Sequence, residues 1–182
     1  VGLRDMYMMV EGDGTGTRFT ALVAPDDVRL IVSDVDGTLS SHENAFPESL
    51  LSGDPVALHP HAPAAFKAGR ARGYVPVYLT ARGNRFTGAT RQWLADNGMP
   101  RGLMRLSLGI AELPGEDTIR YKTGVMKDLQ DAGLTVSVGI GNRASDIEAY
   151  ETVGVASDKI FIKLPEYLPD VQQPIADRRA TG

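Results

Sequence analysis

The chain has 182 residues, no cysteine and a formal net charge of −4 at pH 7, and its length suits one domain with an appendage. A hydrophobic content of 42% with 23% charged residues is typical of a folded domain rather than a disordered chain. Without cysteine, disulfides, zinc thiolate sites and cysteine nucleophiles are excluded. The acidic balance disfavours a nucleic acid as partner, because a phosphate backbone requires clustered Lys and Arg, but it allows a local basic pocket for one phosphate group.

The sequence leaves the cellular compartment open. No apolar run approaches the ~20 residues that span a bilayer, so we predict no transmembrane segment. The lack of cysteine fits the cytoplasm and export equally well. The chain begins at Val1, so the sequence gives no information on an upstream domain or a signal peptide.

The first 27 residues predict a β-hairpin. Two short strand-like segments, 6–10 and 17–23, flank a glycine-rich turn. We interpret residues 1–27 as a β-hairpin appendage or the remnant of an upstream β domain. The methionines within residues 6–9 are interpreted as packing of the strand rather than as a lipid-binding patch.

From residue 28 onward, strand-like and helix-like segments alternate, which predicts right-handed crossovers and a parallel sheet. The predicted strands are 30–33, 75–79, 103–106, 136–140 and 159–162, and the predicted helices are 64–72, 85–97, 122–132 and 144–151. The fold class is therefore α/β, a Rossmann-like three-layer catalytic domain over 28–164. The connections 40–63 and 98–121 are too short for a large cap, so we expect a minimal cap or none. Residues 165–182 contain three prolines, and we expect a surface tail.

The most informative motif follows the first strand of this domain. A β-branched apolar segment ends in Asp34, Val35, Asp36, Gly37 and Thr38. Residues i and i+2 of an extended chain point the same way, so both carboxylates face one small volume at the carboxyl end of the strand, where parallel sheets bind ligands. Two close carboxylates repel unless a cation lies between them, and oxygen ligands suit Mg²⁺. The motif therefore predicts a Mg²⁺-assisted site.

Further polar residues follow the other predicted strands and complete a set for phosphoryl transfer. We predict Asp34 as the nucleophile that forms an aspartyl-phosphate. We predict that Asp36 protonates the leaving alkoxide and then deprotonates the water that hydrolyses the intermediate. Thr80 and Lys122 are predicted to stabilise charge on the phosphoryl oxygens. The predicted metal ligands are Asp34, Asp36, Asn142 and Asp146. The predicted phosphate-binding residues are Thr38, Thr80, Ala81, Arg82, Lys122 and Arg143.

Three assignments stay open at this point. Lys127 competes with Lys122 as the phosphate-binding lysine, because both lie on one predicted helix. A structural role and a phosphate contact are equally consistent with the sequence for Arg82 and for Arg143. Asp146 lies near the start of a predicted helix, where a carboxylate is favourable without any metal.

These motifs resemble two nested families. The run Asp34-Val35-Asp36-Gly37-Thr38 is similar to the signature of the haloacid dehalogenase (HAD) superfamily of phosphotransferases. The segments 78–82 (Tyr-Leu-Thr-Ala-Arg) and 141–150 (Gly-Asn-Arg-Ala-Ser-Asp-Ile-Glu-Ala-Tyr) resemble the lipin/Ned1/Smp2 (LNS2) domain. The resemblance implies a HAD fold, an aspartyl-phosphate mechanism and Mg²⁺. LNS2 domains occur in phosphatidate phosphatases and in phosphatidylinositol-transfer proteins, many of which have lost the second acid.

The sequence leads to one functional hypothesis with two alternatives. We expect a Mg²⁺-dependent phosphomonoester hydrolase with phosphatidate as the leading substrate, and the retained Asp36 favours catalysis. The first alternative is a phosphatase of small soluble phosphometabolites or phosphoproteins with the same catalytic residues. The second is a module that binds phosphatidate without turnover. Peripheral contact with a membrane that presents the lipid and the oligomeric state both stay open.

Overall fold

The computed structural model describes residues 2–109 and 115–182. Within these residues seven strands form two sheets, and they are β1 Gly2–Met9, β2 Gly16–Val23, β3 Arg29–Ser33, β4 Val75–Gly83, β5 Leu103–Ser107, β6 Thr135–Gly141 and β7 Ile160–Ile162. The α-helices are α1 Ala45–Ser52, α2 Ala62–Ala71, α3 Thr87–Asp96, α4 Gly115–Asp131, α5 Ala144–Thr152 and α6 Leu168–Ala176. Single 3₁₀ turns precede α3 at Asn84–Phe86 and β7 at Ser157–Lys159.

The main sheet contains five parallel strands in the order β5-β4-β3-β6-β7. Its central strand β3 pairs with β4 on one side and with β6 on the other, so the chain reverses its direction of winding at β3. Ligands bind at such a switch point in open α/β sheets, outside the carboxyl ends of the strands. The α/β fold class and the parallel sheet are thereby confirmed.

Side chains of β3 alternate between two separate hydrophobic clusters. Leu30 and Val32 pack in a cluster with residues of α4 and α5, whereas Ile31 packs with Phe66 and Leu94 of α2 and α3. The helices therefore cover both faces of the sheet, which confirms the three-layer arrangement. Each of these buried aliphatic side chains contributes roughly 1.5–3 kcal/mol to the free energy of unfolding. This packing keeps the carboxyl ends of β3, β4 and β6 at fixed positions beside one another.

The N-terminal hairpin is present, but its methionines do not pack inward. β1 and β2 pair antiparallel from Gly2 opposite Val23 to Met9 opposite Gly16. Met8 and Met9 are 59% and 58% exposed, so the predicted packing of these methionines is wrong. A two-stranded ribbon has no third layer to cover its faces near the turn, and only its end next to Leu22 reaches the core.

Three helical segments differ from the predictions. Helix α1 lies in the connection 40–63, where the sequence pattern predicts no helix. Helix α4 begins seven residues before Lys122, because its first turn is polar, with Glu116 and Asp117 at the positive end of the helix dipole. The segment 165–182 is not a surface tail throughout, since α6 forms with a proline in its first turn and buries Val171 completely.

The connection between β3 and β4 carries only α1 and α2 in the described structure, which agrees with the expected minimal cap. Among residues 2–109 and 115–182, none of the helices combines the length and the apolar character that a membrane span requires.

Candidate active site

The predicted site residues converge at the carboxyl edge of β3, β4 and β6, where they surround a pocket of about 240 Å³. We call this cavity the active-site pocket, and its lining residues are Asp34, Asp36, Glu43, Thr80, Ala81, Gly115, Thr118, Lys122, Asn142, Arg143, Ser145, Asp146 and Asp170. Thr38 and Arg82 do not line it, although both contact residues that do.

Asp34 follows β3 directly and is held by the sheet. Its backbone N–H donates to the carbonyl of Ile140 on β6 at 2.9 Å, which extends the β3–β6 pairing to the site. Its Oδ1 accepts a hydrogen bond from the Lys122 ammonium at 2.6 Å. Burial raises the pKa of Asp34 to about 8 against the opposing effect of Lys122, and the carboxylates of Asp146 and Asp36 add to the rise. Burial therefore disfavours the ionised form of Asp34 in the metal-free protein.

Lys122 is the lysine of the active-site pocket, and Lys127 is exposed on the same helix. The Lys122 Nζ lies 2.6 Å from Asp34 Oδ1 and 2.6 Å from Asp146 Oδ1, so one ammonium bridges two carboxylates. Burial acts to lower the pKa of Lys122, but Asp146 and Asp34 outweigh it and hold that pKa well above the ordinary value. The ammonium thus stays charged at any pH at which the protein works.

Asp146 combines a structural role with its place in the active-site pocket. Its Oδ2 accepts the backbone N–H groups of Asn142 at 3.0 Å and Arg143 at 3.2 Å, which caps the start of α5. A Cβ on Gly141 would lie 2.4 Å from the Asp146 side chain, so glycine is required there for this approach. The Asp146 Oδ1 accepts a hydrogen bond from Lys122. Asp146 therefore caps α5 with one carboxylate oxygen and contacts the lysine of the pocket with the other.

Glu43 is a pocket residue that the sequence did not indicate. Its Oε2 accepts a hydrogen bond from Asn142 Nδ2 at 2.9 Å, which leaves the Asn142 carbonyl oxygen 3.1 Å from the Thr38 hydroxyl. The same hydroxyl lies 3.2 Å from Asp34 Oδ2. Gly37 adopts φ = 69°, and a Cβ there would lie 2.1 Å from Asn142 Nδ2. Glu43 lies outside every periodic segment, so no sequence pattern marks it.

Asp36 has different partners from Asp34. The Thr80 hydroxyl donates to Asp36 Oδ2 at 2.7 Å, and the Arg82 guanidinium forms an ion pair with Asp36 Oδ1. The backbone N–H of Arg82 in turn donates to the Thr80 hydroxyl oxygen at 3.1 Å. Arg82 is only 7% exposed. The two acids of the motif are therefore held by separate cations, Lys122 for Asp34 and Arg82 for Asp36.

The mouth of the active-site pocket is bordered by the start of α5 and by the C-terminal segment. The Arg143 guanidinium lies 4.2 Å from the ring centroid of Tyr167, and its Nη1 lies 3.8 Å from Glu43 Oε1. Asp170 of α6 accepts the backbone N–H of Ala144 at 3.0 Å. The segment expected to be a tail thus supplies part of the pocket wall.

The donor set of the active-site pocket suits a hard divalent cation. Asp34, Asp36 and Asp146 offer carboxylate oxygens and Asn142 offers a carbonyl oxygen, and Mg²⁺ prefers oxygen ligands. Within the described residues no three His, Cys, Asp or Glu side chains form a ready ligand cluster. Mg²⁺ is commonly bound by one or two carboxylates together with water and substrate phosphate, so such a cluster is not required. A bound cation would also favour the ionised form of Asp34, which burial alone disfavours.

Solved structures with the same fold include phosphatases. The D,D-heptose 1,7-bisphosphate phosphatase from B. bronchiseptica, complexed with magnesium and phosphate, gives a TM-score of 0.55 at 17% identity over 74% of this chain and 79% of that one. The cobalt-bound deoxy-D-mannose-octulosonate 8-phosphate phosphatase from Haemophilus influenzae gives 0.51 at 17% identity over 86% and 75%. At this identity the likeness establishes the HAD fold alone.

Sequence comparison identifies the family. Protein retinal degeneration B of Drosophila melanogaster is 26% identical over 162 residues, which are 88% of this chain and 12% of that protein. Membrane-associated phosphatidylinositol transfer protein 3 of Homo sapiens is 26% identical over 163 residues, 89% of this chain and 16% of that protein. The chain thus spans a small part of these relatives. The family model described as PITM 1-3, LNS2 domain, matches residues 31–163. This chain belongs to that LNS2 family and has its HAD-like fold.

Proposed function

We propose that this protein is a Mg²⁺-dependent phosphomonoester hydrolase that works through an aspartyl-phosphate. The observation that carries the proposal is the pairing of two buried acids with separate partners. Asp34 contacts the Lys122 ammonium, and Asp36 contacts the Thr80 hydroxyl, within one pocket at the end of β3. A nucleophile and an acid–base group two residues apart, each fixed by its own contacts, suit a two-step displacement.

In the first step the Asp34 carboxylate attacks phosphorus and forms an acyl-phosphate bond. The bond between phosphorus and the ester oxygen breaks, and that oxygen takes a proton from the Asp36 carboxyl group. In the second step water attacks the same phosphorus and gives a proton to Asp36. The Asp34–phosphorus bond then breaks, which releases inorganic phosphate and restores the Asp34 carboxylate and the protonated Asp36 carboxyl group.

Charge stabilisation is assigned to the cations and donors around Asp34. Lys122 lies beside the nucleophile and offsets the charge that develops on the phosphoryl oxygens. Asp34, Asp36, Asn142 and Asp146 are the residues we propose to hold Mg²⁺, which would supply positive charge to offset that of the phosphate. Thr80 and Arg143 also border the pocket and are proposed phosphate contacts.

Phosphatidate is the proposed leading substrate. The family support is that relatives over this region are named membrane-associated phosphatidylinositol transfer proteins. The structural support is the small size of the described insertion between β3 and β4, which leaves the pocket without a cap domain from that side. An open pocket accepts a phosphate group whose alcohol stays in a lipid surface.

The test measures phosphate release in Mg²⁺ from phosphatidate in mixed micelles and from a panel of soluble phosphomonoesters. The variants are Asp34→Asn and a matched control, Asp158→Asn, which changes an aspartate whose side chain is 74% exposed and outside the pocket. We expect release from phosphatidate by the wild type and by the control, and a loss of several orders of magnitude in Asp34→Asn.

Three other results would redirect the proposal. Release from soluble esters alone keeps the mechanism and rejects the lipid substrate. Release that persists in Asp34→Asn rejects the mechanism. Vesicle binding that depends on phosphatidate, without release by the wild type, rejects the enzyme and favours a lipid-binding module.

A further inference from the structure

We propose that Arg82 is a positioning residue that holds the Asp36 carboxylate in the orientation for proton transfer, and that Phe46 and Thr90 hold Arg82. We call these three residues the Arg82 clamp. This inference rests on the proposed phosphatase function, because it explains how Asp36 is held in place for its proposed role as acid and base. It replaces the expected role of Arg82 as a phosphate ligand.

The Arg82 guanidinium is occupied on three sides by protein groups. Its Nη2 forms the ion pair with Asp36 Oδ1, and its Nη1 donates to the Thr90 hydroxyl at 2.8 Å. The face of the guanidinium lies 3.5 Å from the ring centroid of Phe46. Arg82 is 7% exposed and Thr90 is fully buried, so little water reaches the guanidinium. A planar guanidinium with two donors and one face committed has a single orientation.

The clamp is assembled from three elements of the fold. Arg82 lies at the end of β4, Thr90 in α3 and Phe46 in α1. Phe46 also packs edge-on against Trp93 at 5.0 Å between ring centroids, and the Trp93 indole N–H donates to the Val56 carbonyl at 2.8 Å. The short insertion after the catalytic motif is thus anchored on α3. We infer that Phe46 in this insertion acts on Asp36 through Arg82, whereas Glu43 in the same insertion lines the active-site pocket.

Asp36 is fixed at both of its oxygens by this arrangement. The guanidinium holds Oδ1, and the Thr80 hydroxyl holds Oδ2 at 2.7 Å. Arg82 does not line the active-site pocket, whereas Asp36 does. A phosphate group in the pocket therefore meets Asp36, and the contribution of Arg82 reaches the reaction through that carboxylate.

This role has a signature that separates it from phosphate binding. Proton transfer to the leaving oxygen matters most for an alkoxide and little for a good leaving group such as p-nitrophenolate. Loss of a residue that binds phosphate weakens the binding of both substrates alike and raises KM for both. Loss of a positioning contact lowers kcat for the alkyl ester selectively, because general acid catalysis typically contributes about 10²–10⁴-fold.

The experiment compares phosphatidate in mixed micelles with p-nitrophenyl phosphate dissolved in the same micelle-containing buffer. The variants are Arg82→Lys, Phe46→Leu and Thr90→Val, with Asp36→Asn as the reference for complete loss of the acid. Phe86→Leu is the matched control. The Arg85 guanidinium lies 4.6 Å from the ring centroid of Phe86, which is a similar cation–π pair outside the pocket. Thermal unfolding of each variant verifies that it is folded at the assay temperature.

We expect Arg82→Lys to lower kcat for phosphatidate by about 100-fold and for p-nitrophenyl phosphate by less than about 5-fold, with KM changed by less than about 3-fold. Phe46→Leu and Thr90→Val should show the same selectivity with losses of about 3- to 10-fold. Phe86→Leu should match the wild type on both substrates.

Equal losses on both substrates, or a rise in KM as the main effect of Arg82→Lys, would overturn the clamp and leave the proposed function standing. A folded Phe46→Leu variant with wild-type kcat on phosphatidate would also overturn it. Absence of release from both substrates by the wild type would overturn the proposed function and the clamp together.

Discussion

Lys122 provides the sharpest test of the electrostatic account, because one buried ammonium holds two buried carboxylates. The Lys122 side chain is 7% exposed and lies 2.6 Å from an oxygen of Asp34 and of Asp146. Lys122→Met keeps most of the side-chain length and removes the charge. Both carboxylates then face each other in a buried site without their shared cation.

The expected loss of unfolding free energy in Lys122→Met follows from the cost of a buried charge that has lost its partner. Removal of one partner of a buried ion pair typically costs about 3–5 kcal/mol of unfolding free energy. For a domain of this size that corresponds to a fall in Tm of about 6–20 °C, at about 2–4 °C per kcal/mol. In the metal-free wild type burial raises the pKa of Asp34 to about 8 although Lys122 acts to lower it, so Lys122→Met raises that pKa further. Above pH 8 the wild type no longer loses stability through Asp34, whereas the variant still does. The cost is therefore larger at pH 9 than at pH 6.

The assay is thermal and urea unfolding in EDTA at pH 6 and pH 9. Lys127→Met is the matched control on the same helix, where an exposed change is expected to stay within about 0.5 kcal/mol. Asp34→Asn in the Lys122→Met background should recover part of the loss, because it removes one of the two facing charges. A loss no larger than that of Lys127→Met, or a loss that does not grow with pH, would refute the reasoning.

Three further predictions use separate features of the structure. Gly37→Ala should lose activity and about 1–3 kcal/mol of unfolding free energy more than Gly154→Ala in urea unfolding, since both glycines have positive φ but only Gly37 has neighbours that a Cβ would strike; equal losses would contradict this. Val171→Ala should cost about 1–3 kcal/mol in the same assay, and a cost near zero would mean that α6 is not part of the folded core. The raised pKa of Asp34 gives the metal-free protein stability that is complete below pH 4 and is lost as the pH rises through about 8. Because protons and Mg²⁺ compete for this carboxylate, Mg²⁺ should raise Tm more at pH 8.5 than at pH 6. A gain in Tm that does not depend on pH would contradict this competition.

The sequence was sufficient to predict the framework of the site. β3 and β6 combine continuous apolar runs with polar residues directly after them, and parallel strands place those residues at one edge. Asp34, Asp36 and Asp146 were predicted together for this reason, and the structure brings them into one pocket. Lys122 was placed at the start of a helix, and it reaches the pocket from the middle of a longer one.

The partners of these residues were beyond sequence reasoning. Which residue of β4 reaches Asp36 depends on the register of β3 against β4, where Ser33 lies opposite Tyr78. That register brings Arg82 to Asp36. Glu43 lies in an irregular segment with no period to place it. Helix α6 was missed because it buries few side chains and contains prolines, which single-sequence patterns associate with loops.

The central claim is that Asp34 carries the phosphoryl group, and acid-quenched labelling tests it directly. The protein is mixed with phosphatidate micelles in Mg²⁺ and quenched in acid. It is then reduced with borohydride, which converts an aspartyl-phosphate to homoserine, digested and analysed by mass spectrometry. The account predicts homoserine at position 34 in wild-type protein that has turned over substrate, and none in Asp34→Asn. Phosphate release by the wild type without modification of Asp34, or with modification at another residue, would contradict it.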